Sequence, residues 1–237
     1  ELVIASFGHI NPFKRLEVAL RAFRELRREF PASVYVLVGS VSPNYDIADT
    51  IQLLGLDGSV RLVGYADAHT FQDYVAASDI CINLRYPSAG ETSASVLRLM
   101  GAGLPVLVSR TGAFEELPDG TCVKVDVDEC EGDLVREYLH LLAKDGELRR
   151  RIGDNARRYV AENHTLKQAA EGYAAALRAW YPGQLGEKPP RSYPFVEEAL
   201  TAAADLSEDG KRGAPPVQEV MQTAASFREA PLEGEVL

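Results

Sequence analysis

Six short apolar runs, each divided from the next by a segment of helical character, constrain this 237-residue chain more than any other feature. They are Leu2–Ala5, Val34–Gly39, Val60–Gly64, Asp79–Leu84, Pro105–Val108 and Thr121–Val125. Continuous apolar runs this short suit strands buried on both faces, the situation inside a parallel sheet. Helices predicted over about 13–30, 47–54, 68–77 and 114–117, with another in the small-residue stretch before Leu104, supply the connections. Strand and helix in alternation predict an α/β architecture, a doubly wound parallel six-stranded Rossmann-like sheet with right-handed crossovers. Further helices over Cys130–Lys144, Glu147–Glu162 and Thr165–Tyr181 come in series and are expected to pack on the sheet rather than extend it.

The first long helix shows why periodicity carries this reading. Leu16, Ala19, Leu20, Phe23, Leu26 and Phe30 share one face, whereas Arg21, Arg24, Arg27 and Arg28 cover much of the other. That arginine run reads as a solvated face. Composition shifts at Pro182-Gly183: residues 183–237 hold six of the thirteen prolines and carry a net charge of −5. The chain is therefore expected to divide into a Rossmann-like domain over 1–182 and a Pro/Ala/Glu-rich C-terminal extension over 183–237, weakly structured or an interaction arm.

The whole chain has a formal net charge of −10, which weighs against nonspecific nucleic-acid binding and against attraction to an anionic membrane. No signal peptide and no apolar run of bilayer-spanning length is present. Cys81, Cys122 and Cys130 lack CxxC spacing and suggest no disulfide framework, so a cytoplasmic location is the default expectation. Cys81, within Ile80-Cys81-Ile82, reads as a small buried hydrophobe. The chain starts directly on an apolar strand without an initiator Met, as expected of a fragment of something longer.

Doubly wound sheets bind ligands at the carboxyl ends of their strands, here the loops near His9, Ser40, Gly64, Tyr86 and Arg110. Two of these loops carry chemistry. In Ser6-Phe7-Gly8-His9-Ile10-Asn11-Pro12-Phe13-Lys14-Arg15, Gly8 permits a sharp turn and Asn11-Pro12 looks like a helix cap. Lys14 then falls on the first helical turn, either as a surface lysine or as a flexible ammonium for a phosphate; spacing alone does not separate the two. In Gly90-Glu91-Thr92-Ser93-Ala94-Ser95, the amides of Thr92, Ser93 and Ala94 lie where a helix begins and can receive phosphate oxygens. Glu91 can cap that helix or accept from a sugar hydroxyl, and an ordinary capped helix is the plainer alternative. No GxGxxG, Walker loop, Gly-x-Ser-x-Gly elbow or metal-binding Asp-x-Asp stands at the predicted edge. His69, His140 and His164 lack metal-ligand spacing, and Asp126, Asp128 and Glu129 read as loop decoration.

These residues, in order, resemble the retaining family-four glycosyltransferases of GT-B fold. Gly8 to Lys14 with its helix is similar to their glycine–lysine segment. Val60-Arg61-Leu62-Val63-Gly64-Tyr65, followed by Ala77-Ser78-Asp79-Ile80, looks like their nucleobase loop and next strand. Pro87 to Val108 resembles their donor-binding helix, in a Gly-Glu-Thr-Ser variant, and Thr111 to Gly120 their next glycine–glutamate segment. The resemblance covers about residues 2–181 and only the C-terminal, donor-binding half of such an enzyme. Two glutamates that the family spaces eight residues apart fall at Gly90 and Arg98, and its arginine before the lysine falls at His9.

The resemblance implies retaining transfer of a sugar, of hexosyltransferase type, from a UDP- or GDP-sugar donor, with no further cofactor and no metal. Lys14 and Glu91 would be catalytic, and Gly8, His9, Arg15, Gly64, Tyr65, Thr92, Ser93 and Ala94 would bind the donor. The partner would be an N-terminal GT-B domain, missing here, that carries the acceptor site, and the isolated chain is expected to be inactive. A noncatalytic binding or assembly module of the same fold stays open, favoured by Arg98 and His9. A nicotinamide oxidoreductase shares the sheet but needs the absent glycine fingerprint and an acidic ribose residue.

Overall fold

A computed structural model describes residues 2–181. The chain separates into two compact units, Glu1–Ala174 and Ala175–Leu237, and the sheet and candidate site belong to the first. The expected extension over 183–237 lies outside the described residues.

One sheet is built from β1 (Val3–Phe7), β2 (Val34–Val38), β3 (Val60–Gly64), β4 (Ile80–Asn83), β5 (Val106–Ser109) and β6 (Val123–Val125). Its order is β3-β2-β1-β4-β5-β6, and every neighbouring pair is parallel. The chain winds outward from β1 to β3, then returns to the middle at β4 and winds the other way. Loops leaving the carboxyl ends of β1 and β4 therefore diverge, and the crevice of the fold opens between them.

Successive strand residues point to opposite faces, so each buried strand feeds two cores. Ile4, Tyr35, Leu37, Ile80, Ile82 and Leu107 pack with α1 (Leu16–Leu26), α2 (Ile47–Leu53) and α5 (Glu131–Lys144). Ala5, Val36, Val38, Cys81, Val106 and Val108 pack with α3 (Ala68–Ala76) and α4 (Ala94–Gly101). With both faces of the inner strands covered, strict polar alternation is not needed and apolar residues dominate them. Ser6 faces the first core and is satisfied there: its Oγ donates to the Ile82 carbonyl at 2.6 Å and lies 2.8 Å from the Tyr35 hydroxyl.

The helix predicted from Phe13 to Phe30 is interrupted. A short 3-10 turn, Pro12–Lys14, is followed by Arg15 in the left-handed region (φ 52°), and only then does α1 begin. Asn11 is extended and its side chain makes no capping bond. At the other end, Arg28 and Glu29 amides bond carbonyls three residues back, which tightens the last turn ahead of Pro31. Phe30 is thus outside α1 although it still packs on the core.

Of the helices after the sheet, α5 buries Val135, Leu139 and Leu142 beside α1, and α6 (Gly146–Asn163) lies along α4. α7 (Leu166–Trp180) has no buried residue, and from Ala175 on it belongs to the second unit. Leu166 and Tyr173 of α7 are exposed.

The α4–α6 contact depends on one glycine. A Cβ on Gly153 would sit 1.9 Å from the Gly103 carbonyl oxygen, while Arg157 Nη2 of α6 donates to the Ala102 carbonyl at 2.7 Å. Alanine favours a helix interior over glycine by about 1 kcal/mol, but this clash with backbone reverses the sign. Gly153→Ala is expected to destabilise the chain by about 2 kcal/mol in urea unfolding, whereas Gly172→Ala, with open space around it, should be neutral or stabilising.

Candidate functional site

The crevice takes its first wall from the loop after β1. Gly8 (φ +95°) turns the chain, and its N–H donates to the Val38 carbonyl at 2.9 Å. A Cβ on Gly39 would lie 2.1 Å from the Gly8 carbonyl oxygen, so glycine there lets the ends of β1 and β2 meet. The left-handed Arg15 then separates the fates of two neighbouring cations. Lys14 turns inward, 8% exposed, and its Nζ donates to the Phe7 carbonyl at 2.7 Å. Arg15 turns away to the buried Glu131 of α5, its Nε donating to Oε1 at 3.1 Å and its Nη2 to Oε2. Burial first, and the Arg85 guanidinium second, pull the Lys14 ammonium down to about 8.

The second wall follows β4. The Arg85 amide donates to Ser109 Oγ at 2.9 Å, and its guanidinium lies 5.6 Å from the Phe114 ring centroid while pairing with Glu91. Burial lowers the Arg85 guanidinium from its ordinary range. The Tyr86 amide donates to the Phe13 carbonyl at 2.9 Å, which ties this wall to the first.

The third wall is the start of α4. Ser93 caps it, Oγ accepting from the Val96 amide at 3.4 Å. Ser93 Oγ and Ser95 Oγ are 3.1 Å apart, and the buried Asn83 donates from Nδ2 to Ser95 Oγ at 3.3 Å, so the helix start is fastened to β4. The first bond inside the helix joins the Leu97 amide to the Ser93 carbonyl at 3.1 Å. Ala94 and Ser95 amides precede it and have no helical carbonyl behind them.

Together the walls line a cavity of about 630 Å³, within the usual range of small-molecule pockets of about 300–1,000 Å³. Gly8, His9, Lys14, Glu91, Thr92, Ser93 and Ala94 are brought together there; Arg15 is not. An adjoining hollow of about 290 Å³ shares Gly8 and His9 with the first and adds Ser40, Tyr65 and Phe71. Tyr65 is 82% exposed on its rim, and the Gly64 carbonyl accepts the Gly39 amide at 2.8 Å. Arg98 instead lies 5.5 Å from the Phe71 ring centroid and lines a separate hollow between α3 and α4.

Two cations and an open helix start around one concavity form an arrangement suited to a multiply charged anion. Arg85, Asn11 and Ser95 line it and Asn83 braces Ser95, none of which the sequence reading gave a binding role. Arg85 had a usable signal, a cation directly after the strand bordering the reversal. Asn83 and Ser95 had only their polarity, and their partnership spans two elements.

Lys14 holds its proton less tightly in the fold than in the unfolded chain. Between about 8 and its ordinary 10.5 the unfolded chain binds more protons, so stability rises with pH across that window. The stability difference between the native chain and Lys14→Met, from urea unfolding at pH 7.5 and 10.5, should shift toward the native chain by about 2–3 kcal/mol. Arg15→Ala leaves the Glu131 carboxylate buried without its partner and should cost about 3 kcal/mol by the same measurement.

Comparisons place this geometry among known proteins. The family model described as "Glycosyl transferases group 1" matches residues 1–144. An uncharacterized glycosyltransferase of Methanocaldococcus jannaschii is 26% identical over 169 residues, 70% of this chain and 42% of that protein. This chain thus spans less than half the length of that relative. Among solved structures, the C-terminal domain of the group 1 family protein LpcC from Francisella tularensis aligns with a TM-score of 0.62 at 21% identity, covering 70% of this chain and 87% of that one. Anabaena HepE, in complex with UDP and glucose, aligns with a TM-score of 0.67 at 18% identity, covering 76% of this chain and 48% of that one. Among the described residues, no helix is long and apolar enough to cross a membrane. The parallel six-stranded sheet and the helices after it match the C-terminal half of a GT-B fold, and the chain belongs to the group 1 glycosyl transferases.

Proposed function

We propose that this chain is the donor-binding half of a retaining glycosyltransferase that moves a sugar from a nucleoside diphosphate to an acceptor bound by an N-terminal domain. The observation that carries the reading is the convergence of the buried Lys14 and the open start of α4 on one cavity at the sheet reversal. HepE, of like fold, is described in complexes with UDP and with UDP-glucose, which supports a uridine or other nucleoside diphosphate as the ligand class.

On this reading the diphosphate lies between Lys14 and the amides of Thr92 to Ser95, and the nucleoside extends past His9 toward Tyr65. When the bond from the anomeric carbon to the diphosphate oxygen breaks, its electron pair leaves with the diphosphate. Lys14 and the helix amides offset the charge that develops there. Glu91, at the mouth of the cavity, orients the sugar hydroxyls. A bound diphosphate also draws Lys14 back toward full protonation, since an anion beside an ammonium favours its charged form. His9 and Arg98, at positions where the resemblance places an arginine and a glutamate, favour the second reading, a donor-binding module without turnover.

Calorimetric titration with UDP, GDP and ADP tests the site. One of them should bind, and Lys14→Ala should weaken that nucleotide at least tenfold, about 1.4 kcal/mol. Affinity in the native chain should fall from pH 7 to pH 9.5 as Lys14 loses its proton. Nucleotide binding that is unchanged in Lys14→Ala overturns the reading. Binding without sugar transfer by the chain joined to its N-terminal domain favours the module.

A further inference from the structure

Arg85 enters neither the residue set implied by the sequence nor the mechanism above, yet its side chain lines the same cavity as Lys14. It is 15% exposed and held from several directions. Phe114 lies beneath the guanidinium, Ser109 fixes its backbone amide, and Tyr86 next to it is bonded to the opposite wall. Such a group is pre-organised: little conformational entropy is left to lose when it binds an anion. Its partner Glu91 is different. That carboxylate is 48% exposed, on the loop between β4 and α4, and its second oxygen accepts the Ala89 amide at 3.1 Å.

Building on the donor reading above, we propose that Arg85 is a second diphosphate-binding cation of this cavity, and that Glu91 occupies its guanidinium until the nucleotide arrives. Lys14 and Arg85 repel across the cavity, and among the described residues only Arg85 of the two is paired with a carboxylate, that of Glu91. A pair with one partner half in solvent contributes little. A diphosphate brings two or more negative charges and can take both forks of the guanidinium, so it displaces the single carboxylate. The exchange frees Glu91 at the cavity mouth as the diphosphate seats, which places its oxygens where the sugar hydroxyls arrive. One ion pair thereby makes the sugar contact conditional on the phosphate contact.

A double-mutant cycle tests this, with UDP, GDP and ADP titrated by calorimetry into the native chain, Arg85→Gln, Glu91→Gln and the double variant. For the nucleotide that binds, Arg85→Gln should weaken affinity at least tenfold. Glu91→Gln removes the competitor and should tighten it about threefold to tenfold, and that gain should vanish once Arg85 is gone. A merely structural role for the pair would weaken binding in both single variants. Glu91 is exposed enough that its variant keeps the fold, which far-ultraviolet circular dichroism checks for all four proteins. Native affinity in Arg85→Gln, or unchanged or weaker affinity in Glu91→Gln, overturns the exchange while Lys14-dependent binding keeps the donor reading. Absence of nucleotide binding in the native chain and in Glu91→Gln alike overturns both.

Discussion

The burial of the Lys14 ammonium at the mouth of the β1–β4 reversal is the interaction around which the rest of this site is arranged. A lysine charge removed from water costs free energy unless a partner receives it, and here the partner is the carbonyl of Phe7, the last residue of β1, at 2.7 Å. Gly8 follows Phe7 with φ +95°, a backbone that favours glycine, and a Cβ there would stand 3.1 Å from Nζ, close enough to push the ammonium by a few tenths of an ångström. The chain must also change direction immediately after the lysine. Arg15 does so by taking a left-handed backbone, a conformation that disfavours residues with a Cβ and is compensated by the ion pair with Glu131. Strand end, turn, cation and counter-ion thus form one linked unit.

That linkage explains what the helices after the sheet contribute. α5 supplies Glu131, so it clamps the Lys14 turn through Arg15 as well as closing the core beside α1. α6 holds the far end of α4 through Gly153 and Arg157, and Asn83 and Ser95 hold the near end. The small-residue helix start is therefore fixed at both ends while its first amides remain open to the cavity. Rigidity of this kind is what makes dipoles and amides effective toward a charged ligand, because no reorganisation is needed on binding.

Net charge and local charge point in opposite directions here. The chain carries −10 overall, yet Lys14 and Arg85 are gathered within one concavity. Global acidity governs long-range attraction to polyanions, whereas an anion inside a cleft responds to the few groups that face it without intervening water. A protein can therefore avoid nucleic acid and still suit a nucleoside diphosphate. The lowered affinity of Lys14 for its proton is the mark of that concentration: burial and a neighbouring guanidinium both act against its charge.

By itself the sequence determined the sheet. Short apolar runs between amphipathic helices suit strands covered on both faces, and six such runs in alternation leave a doubly wound parallel sheet as the consistent answer. It also placed Gly8, Lys14, Glu91 and the Thr92–Ala94 stretch along the carboxyl edge, since each lies in the segment from a strand end to the first turn of the helix that follows it. Tertiary structure decided which charges face one another. Lys14 and Arg15 are adjacent in the chain, and no local pattern says that one turns in and the other out. That follows from the left-handed Arg15 and from Glu131, 116 residues away. Arg85 joins Lys14, 71 residues away in sequence, because β1 and β4 are neighbours in the sheet. Local propensity is a property of neighbouring residues, whereas a charge pair depends on distance in space, and only the assembled sheet sets that distance.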